Sequence, residues 1–362
     1  MNAATKLLRR LLDRGAYLAR FERETLLTIL PILEQAHESI LGKIAKTKGI
    51  LTAEWLTEAA SDITEIYRAA TAKALGSVRG DLASLAASEA EWLAAAANGL
   101  EIGVSFTTPS PNALAAAVAL PTSVAGSTLE QLFQALGETS RAAVYDAINS
   151  GMTEGETVDQ LTARLRGEVV KRASWRKVDG RRRYVPGVYS GGAMEGVTTR
   201  QAEQLARTAT MHVSNRARDL FYAENEDVIK GYQHVATLDL DTCVVCGALD
   251  GREYALKAPK PDLPIHPSCR CLYAPVLKSF RELGIDIDEA PAGTRASMDG
   301  QVPEFETFET RLVRMSEKRQ DILLGRGRAD LYRNGMPLTD MVDGTKKLTL
   351  EQIAARRKAR AA

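Results

Sequence analysis

The chain is expected to fold as a mainly α-helical α+β protein, with elongated N-terminal helices and a small antiparallel sheet late in the sequence. Three observations predict this class. Leu26, Ile29, Leu30, Leu33, Ile40 and Ile44 recur at three- and four-residue steps, the period of one helical face. Ile229–Thr237, Arg252–Leu256 and Leu272–Val276 read as short strands. All four cysteines lie in Cys243-x-x-Cys246 and Cys269-x-Cys271, with His266 three residues before Cys269. Two sulfur pairs at this separation can converge on one tetrahedral ion, and Zn2+ is the ion such a site favours.

Composition sets the background. A chain of 362 residues can hold two or three domains. Its 47 basic and 46 acidic residues leave a net charge of +1, so no global field draws it to nucleic acid or membrane. Any charged partner must meet a local patch. Lys6, Arg9, Arg10 and Asp13 interrupt the leucines of residues 1–15, which therefore lack a signal-peptide core, and no apolar run is long enough to span a bilayer. A reducing cytoplasm is the expected setting, and it favours metal over disulfides.

From the N-terminus onward, Pro31 predicts a kink in the first helix. A second helix is expected over Trp55–Leu75, and an alanine-rich one over Leu82–Leu100. Thr107–Pro111 and Pro121–Gly126 are breaks. Ser127-x-x-Glu130 reads as a capping box for a helix ending near Gly151, and Thr157-x-x-Gln160 caps another, with Leu161 and Leu165 on one face and Gly167 as its stop. Asp179-Gly180 joins two strand-like segments into a hairpin. A long helix then runs from Thr198 to about Tyr222, with His212 as a packing residue. The regions expected are N-terminal helices (1–105), a linker (106–126), a central module (127–280) with its hairpin at 169–199, a second linker (281–304) and a C-terminal helical region (305–362).

The hairpin is the most basic stretch. Lys171, Arg172, Arg176, Lys177, Arg181, Arg182 and Arg183 are set against Asp179 alone, with Trp175 and Tyr184 among them. Such a loop can bind a phosphate backbone, dock on an acidic protein surface, or simply stay solvated. In the C-terminal region, Gly325-Arg326-Gly327 reads as a helix stop rather than a dinucleotide loop. Thr349-x-x-Gln352 caps a last helix whose Arg356, Arg357, Lys358 and Arg360 can touch DNA or a capsid wall, or fray into solvent.

Five residues compete for four metal positions. Cys243 and Cys246 form one natural pair. Cys269 and Cys271 can join it only if the chain bends between them, since residues two apart on an extended strand are separated by nearly 7 Å. Three cysteines plus His266 is the preferred set, with Cys271 as the alternative fourth ligand. A catalytic zinc is disfavoured. His234-Val235-Ala236 lacks the glutamate of a deaminase, no helix carries two histidines four apart, and four histidines are too few for a histidine-rich nuclease site. Asp239, Asp241 and Asp250 suit backbone hydrogen bonding at turns. No enzymatic activity and no small-molecule substrate are expected.

Ala206-Arg207-Thr208, the run from Thr237 through Asp241-Thr242-Cys243-x-x-Cys246, Leu249-Asp250-Gly251-x-x-Tyr254, and Leu263-Pro264-x-His266-Pro267-Ser268-Cys269-Arg270-Cys271 together resemble the phage head-morphogenesis proteins typified by Mu F. The resemblance spans about Ser127–Leu277. It implies a minor head protein of a tailed phage or prophage, associated with the portal or other capsid proteins and with packaged DNA. Its place would be the virion head, and the host cytoplasm during assembly. One departure is Ala209, where the family's helix motif carries a glutamate. The rival expectation is a zinc-dependent DNA-processing enzyme or injected effector.

Overall fold

The computed structural model describes the chain except residues 1, 48–51, 101, 123, 125, 172–173, 179–180, 186–187, 289–290, 292 and 362. For residues 53, 168–171, 175–178, 181–185, 188–190, 195–198 and 361 it describes the backbone alone. Two compact units are present, one from residues 1–17, 86–118 and 211–362, the other from residues 18–85 and 119–210. Helices α1 (Ala3–Ala45) and α2 (Ala53–Asn98) contribute to both. Helix α1 continues through Pro31. Helix α2 joins the two helices expected over 55–75 and 82–100, because Val78 and Leu82 are buried and carry the apolar stripe past Gly76 and Gly80. Tertiary packing outweighs the roughly 1 kcal/mol propensity cost of each glycine.

Helix α3 (Pro111–Ala119) fills the interval between the two breaks. Helix α4 (Leu129–Thr153) starts one residue later than the capping box read from Ser127. Its cap is Thr128, whose side chain accepts from the Gln131 backbone while Gln131 reaches back to the Thr128 N–H. Glutamine serves this reciprocal cap as well as glutamate does. Helix α5 (Val158–Arg166) follows the reading from Thr157 and Gln160, buries Leu161 and Leu165, and stops at Gly167 with φ of 73°. Ile40, Ile44, Ile63, Tyr67, Val144, Ile148, Leu161 and Leu165 form the core of this second unit.

Strand β1 (Glu168–Lys171) pairs with β4 (Val188–Ser190), and between them β2 (Ser174–Val178) pairs antiparallel with β3 (Arg181–Val185). The expected hairpin is therefore present in the backbone. Arg172 and the Asp179-Gly180 turn lie outside the described residues.

In the same unit, His37 and Tyr67 meet edge to face at 5.9 Å, and His37 Nε2 and the Tyr67 hydroxyl are buried with no hydrogen-bond partner among the described residues. Burial pushes the His37 pKa down from 6.5 to about 4. Protonation is thus resisted in the folded chain and easy in the unfolded one. Stability is full above pH 6.5 and falls as pH drops toward 4, by about 2 kcal/mol at pH 5. Urea unfolding at pH 5 and pH 8 checks this. The difference is expected to shrink in His37→Phe, and an unchanged difference would contradict it.

Helix α6 (Ala193–Glu224) begins earlier than Thr198 and leads into β5 (Ile229–Val235). Helix α7 (Val244–Leu249) follows, then β6 (Glu253–Ala255) and β7 (Leu272–Leu277), which flank β5 in an antiparallel sheet of order β6-β5-β7. Gly231 admits this close pairing, since a Cβ there would lie 2.4 Å from the Tyr254 carbonyl oxygen. Tyr222 on α6 donates its hydroxyl to the Tyr273 carbonyl at 2.9 Å, tying helix to sheet. Leu7, Leu11, Leu93, Phe221, Tyr232 and Tyr273 belong to the core beneath. Nearby, buried Glu89 accepts from Arg14 Nε at 2.6 Å, Arg218 at 2.9 Å and Ser214 at 3.1 Å.

The expected linker contains a hairpin, β8 (Thr294–Ser297) with β9 (Gly300–Pro303). The single C-terminal helix read over 305–324 is two helices, α8 (Phe308–Arg314) and α9 (Glu317–Leu324), because Met315 and Ser316 are extended. Gly325, with φ of 78°, ends α9, and α10 (Arg326–Arg333) follows it directly. Thr349 and Gln352 cap α11 (Leu350–Ala361) as read. Phe308 is fully buried against Gly247 of α7, where an added Cβ would lie 2.4 Å from the ring. No helix among the described residues is long and apolar enough to cross a membrane.

Candidate metal centre

The first half of the centre is set by a capped turn. After β5, Asp239 accepts from the Asp241 N–H at 3.0 Å and from the Thr242 hydroxyl at 3.3 Å, folding the chain back toward α7. Cys243 is the N-cap of α7, and its sulfur accepts from the Cys246 N–H at 3.4 Å. A helical start places residues three apart on one side, so both sulfurs face the same space.

The second half is a tighter turn. The Cys269 N–H donates to the His266 carbonyl at 3.1 Å, and Ser268 adopts the left-handed φ of 60°. Asn215 on α6 donates to the Cys271 carbonyl at 3.4 Å. Cys269 and Cys271 thereby escape the extended spacing of a strand, and their sulfurs fall within 4.8 Å of each other and of Cys246. The bend required of Cys271 as a ligand is present.

Arg270, between these two cysteines, donates to both Asp239 oxygens at 2.6 and 2.9 Å and so clips the second turn to the first. Arg270 belongs to the histidine-proline-x-cysteine-arginine-cysteine motif, whose spacing carries no signal of this pairing across the site. Asp250 serves the backbone, as expected for an aspartate at a turn. It accepts from the Ala236 and Phe308 N–H groups, each at 2.8 Å.

All five expected donors meet. His266 Nε2 lies 3.3 Å from the sulfurs of both Cys243 and Cys246, and Cys246 lies 3.9 Å from Cys269. Two overlapping triads result, Cys243/Cys246/His266 and Cys246/Cys269/Cys271, with Cys246 common to both. Sulfur and nitrogen ligands of one tetrahedral zinc lie roughly 3.5–3.8 Å apart, so the donor spacings suit a shared ion. His266 Nδ1 is 2.8 Å from the Pro267 carbonyl, which can only accept. The Nδ1 proton is thereby fixed and Nε2 is the nitrogen turned to the sulfur cluster, the usual orientation of a metal-binding imidazole once an ion displaces any Nε2 proton.

The electrostatics also favour a cation. Hydrogen bonding from Cys246, aided by His266, holds the Cys243 thiol down to about 4 despite burial. Cys269 lies far below its ordinary value through bonds from Cys246 and Cys271. Cys246 is pushed up by sharing its proton with Cys243 and Cys269. The bonds to Cys243 and Cys269 raise His266 to about 11. Thiolate charge thus gathers in a pocket where Cys246, Cys269 and Cys271 are buried, and a soft divalent ion can replace the shared protons. All four cysteines are free thiols.

His234 is not among the donors. It is fully buried, packs edge-on against Tyr273 at 5.7 Å, and has its pKa lowered by burial. Arg176, Lys177, Arg181, Arg182 and Arg183 lie on β2 and β3, and Lys171 on β1, in the other compact unit.

The sheet, its capped turns and the sulfur-rich cluster define a small α+β module with the donor set of a structural metal site. Residues 142–274, which include this module through Cys271, match the family model described as Phage Mu protein F like protein. Over that span the chain is similar to the Mu F-like proteins of phage head morphogenesis. No curated protein and no solved structure matches the chain.

Proposed function

We propose that this chain is a minor head component of a tailed phage or prophage, a structural and assembly factor associated with the portal and head interior that aids DNA packaging or delivery. The observation that carries the reading is the Mu F-like match over residues 142–274, which contains the whole five-donor cluster. Four of Cys243, Cys246, His266, Cys269 and Cys271 hold one Zn2+. When bound, the ion supplies fixed bonds that close two loops, and a surplus of protein donors leaves no position for a reacting water. The chain's own residues do the rest. Arg270 and Asp239 lock the two turns together, while Asp250 anchors the loop after α7.

Portal and capsid proteins are the proposed partners, and the virion head is the proposed location. The test is to produce phage with this gene disrupted or complemented, then compare particle composition, DNA content and infectivity. The chain is expected in complemented particles at low copy, with assembly or delivery impaired when it is missing. Particles of normal composition, yield and infectivity without it would overturn the proposal.

A further inference from the structure

We propose that the β2–β3 hairpin is a nucleic-acid-binding ribbon that grips the phosphate backbone and stacks unpaired bases on an aromatic row. The backbone register carries the argument. It sets Trp175 opposite Tyr184, Arg176 opposite Arg183, Lys177 opposite Arg182 and Val178 opposite Arg181. Alternate positions of a strand share a face, so Trp175, Tyr184, Lys177 and Arg182 fall on one face and Arg176, Arg183 and Arg181 on the other. The first face therefore carries an aromatic pair one step from a cationic pair, with rows about 6.6–6.8 Å apart.

Two successive cross-strand pairs of like charge are unfavourable for an isolated hairpin. No acidic residue occupies any of the paired positions 174–178 and 181–185. The pattern thus sacrifices hairpin stability, and a polyanion would restore it. With a net charge of only +1, the chain as a whole does not require such a concentration. Nucleic acid is favoured over an acidic protein surface because it alone repeats a planar ring beside each negative charge, matching the aromatic and cationic rows together. The other basic segment is partly committed elsewhere, since Arg356 donates to the Val342 carbonyl and Arg360 pairs with Asp340.

This inference stands apart from the assembly role and can fail without it. The full-length protein is titrated into fluorescein-labelled 30-nucleotide single strands and duplexes from 50 to 200 mM KCl, and anisotropy is read. Log affinity is expected to fall linearly with log salt. Lys177→Glu with Arg182→Glu, the cationic pair on the aromatic face, should weaken binding at least tenfold and flatten the slope by about 1.4–1.8, the loss of two phosphate contacts. The milder pair Lys177→Gln and Arg182→Gln should move the same way, with unchanged melting and metal content as the check on folding. Trp175→Ala with Tyr184→Ala should weaken single-strand binding about tenfold and leave its salt slope intact. The proposal is overturned if the wild type does not bind at 50 mM salt, or if the charge variants bind as the wild type does. Competition by polyglutamate equal to that of DNA at matched charge would overturn it in favour of an acidic protein partner.

Discussion

Cys246→Ser is expected to abolish tight metal retention and lower the melting temperature by more than about 10 °C, an effect beyond the roughly 1 kcal/mol typical of single substitutions. Cys246 belongs to both donor triads and is 2% exposed, in the first turn of α7. Its loss breaks both four-donor sets, Cys243/Cys246/His266/Cys269 and Cys243/Cys246/Cys269/Cys271, whereas loss of Cys271 or of His266 leaves one of them complete. Structural zinc contributes about 10–16 kcal/mol of apparent binding free energy in isolated finger peptides, so even a fraction of that dominates here. Elemental analysis and thermal melts of the Cys246, His266 and Cys271 variants make the comparison. Should Cys246→Ser keep its metal while a single outer variant loses it, the hub assignment is wrong.

Asp250→Ala is expected to cost about 3–5 kcal/mol, the range for removing one partner of a buried ion pair. The Asp250 side chain is fully buried and pairs with Arg295 at 3.4 Å, itself 4% exposed at the side chain. Arg295 also donates to the Ala236 carbonyl at 2.8 Å and the Glu306 carbonyl at 3.3 Å. One carboxylate thus joins the end of β5, the loop after α7, hairpin β8–β9 and the start of α8. Its removal strands two buried N–H groups and a guanidinium, each costly in a dry interior. Adding Arg295→Met is expected to recover part of the loss by removing the orphaned charge. Urea unfolding measures both variants, and a cost under 1 kcal/mol for the single change would contradict this role.

Local chemistry made much of the structure readable. The Thr157/Gln160 and Thr349/Gln352 caps, the three strands of the β6-β5-β7 sheet and the convergence of five donors each follow from residues close together in sequence. Long-range relations escaped. Arg295 lies in a stretch rich in Asp, Pro, Gly and Ala that reads as a linker, and only its partner Asp250, far upstream, explains its burial. Arg270 and Asp239 are likewise distant in sequence, so their bidentate pair has no periodic signature. The Ser127/Glu130 box lost to Thr128/Gln131 because both registers satisfy the same local pattern and the first buried leucine, Leu129, decides between them. The break between α8 and α9 hinges on two extended residues, Met315 and Ser316, that no glycine or proline announces.

The most direct test of the metal-closed module is elemental analysis of the purified full-length protein, paired with melting before and after exhaustive chelation. About one tightly held zinc per chain is expected, with a marked fall in melting temperature on its removal and recovery on adding zinc back. Protein free of transition metal that melts at the same temperature with and without chelator would contradict it.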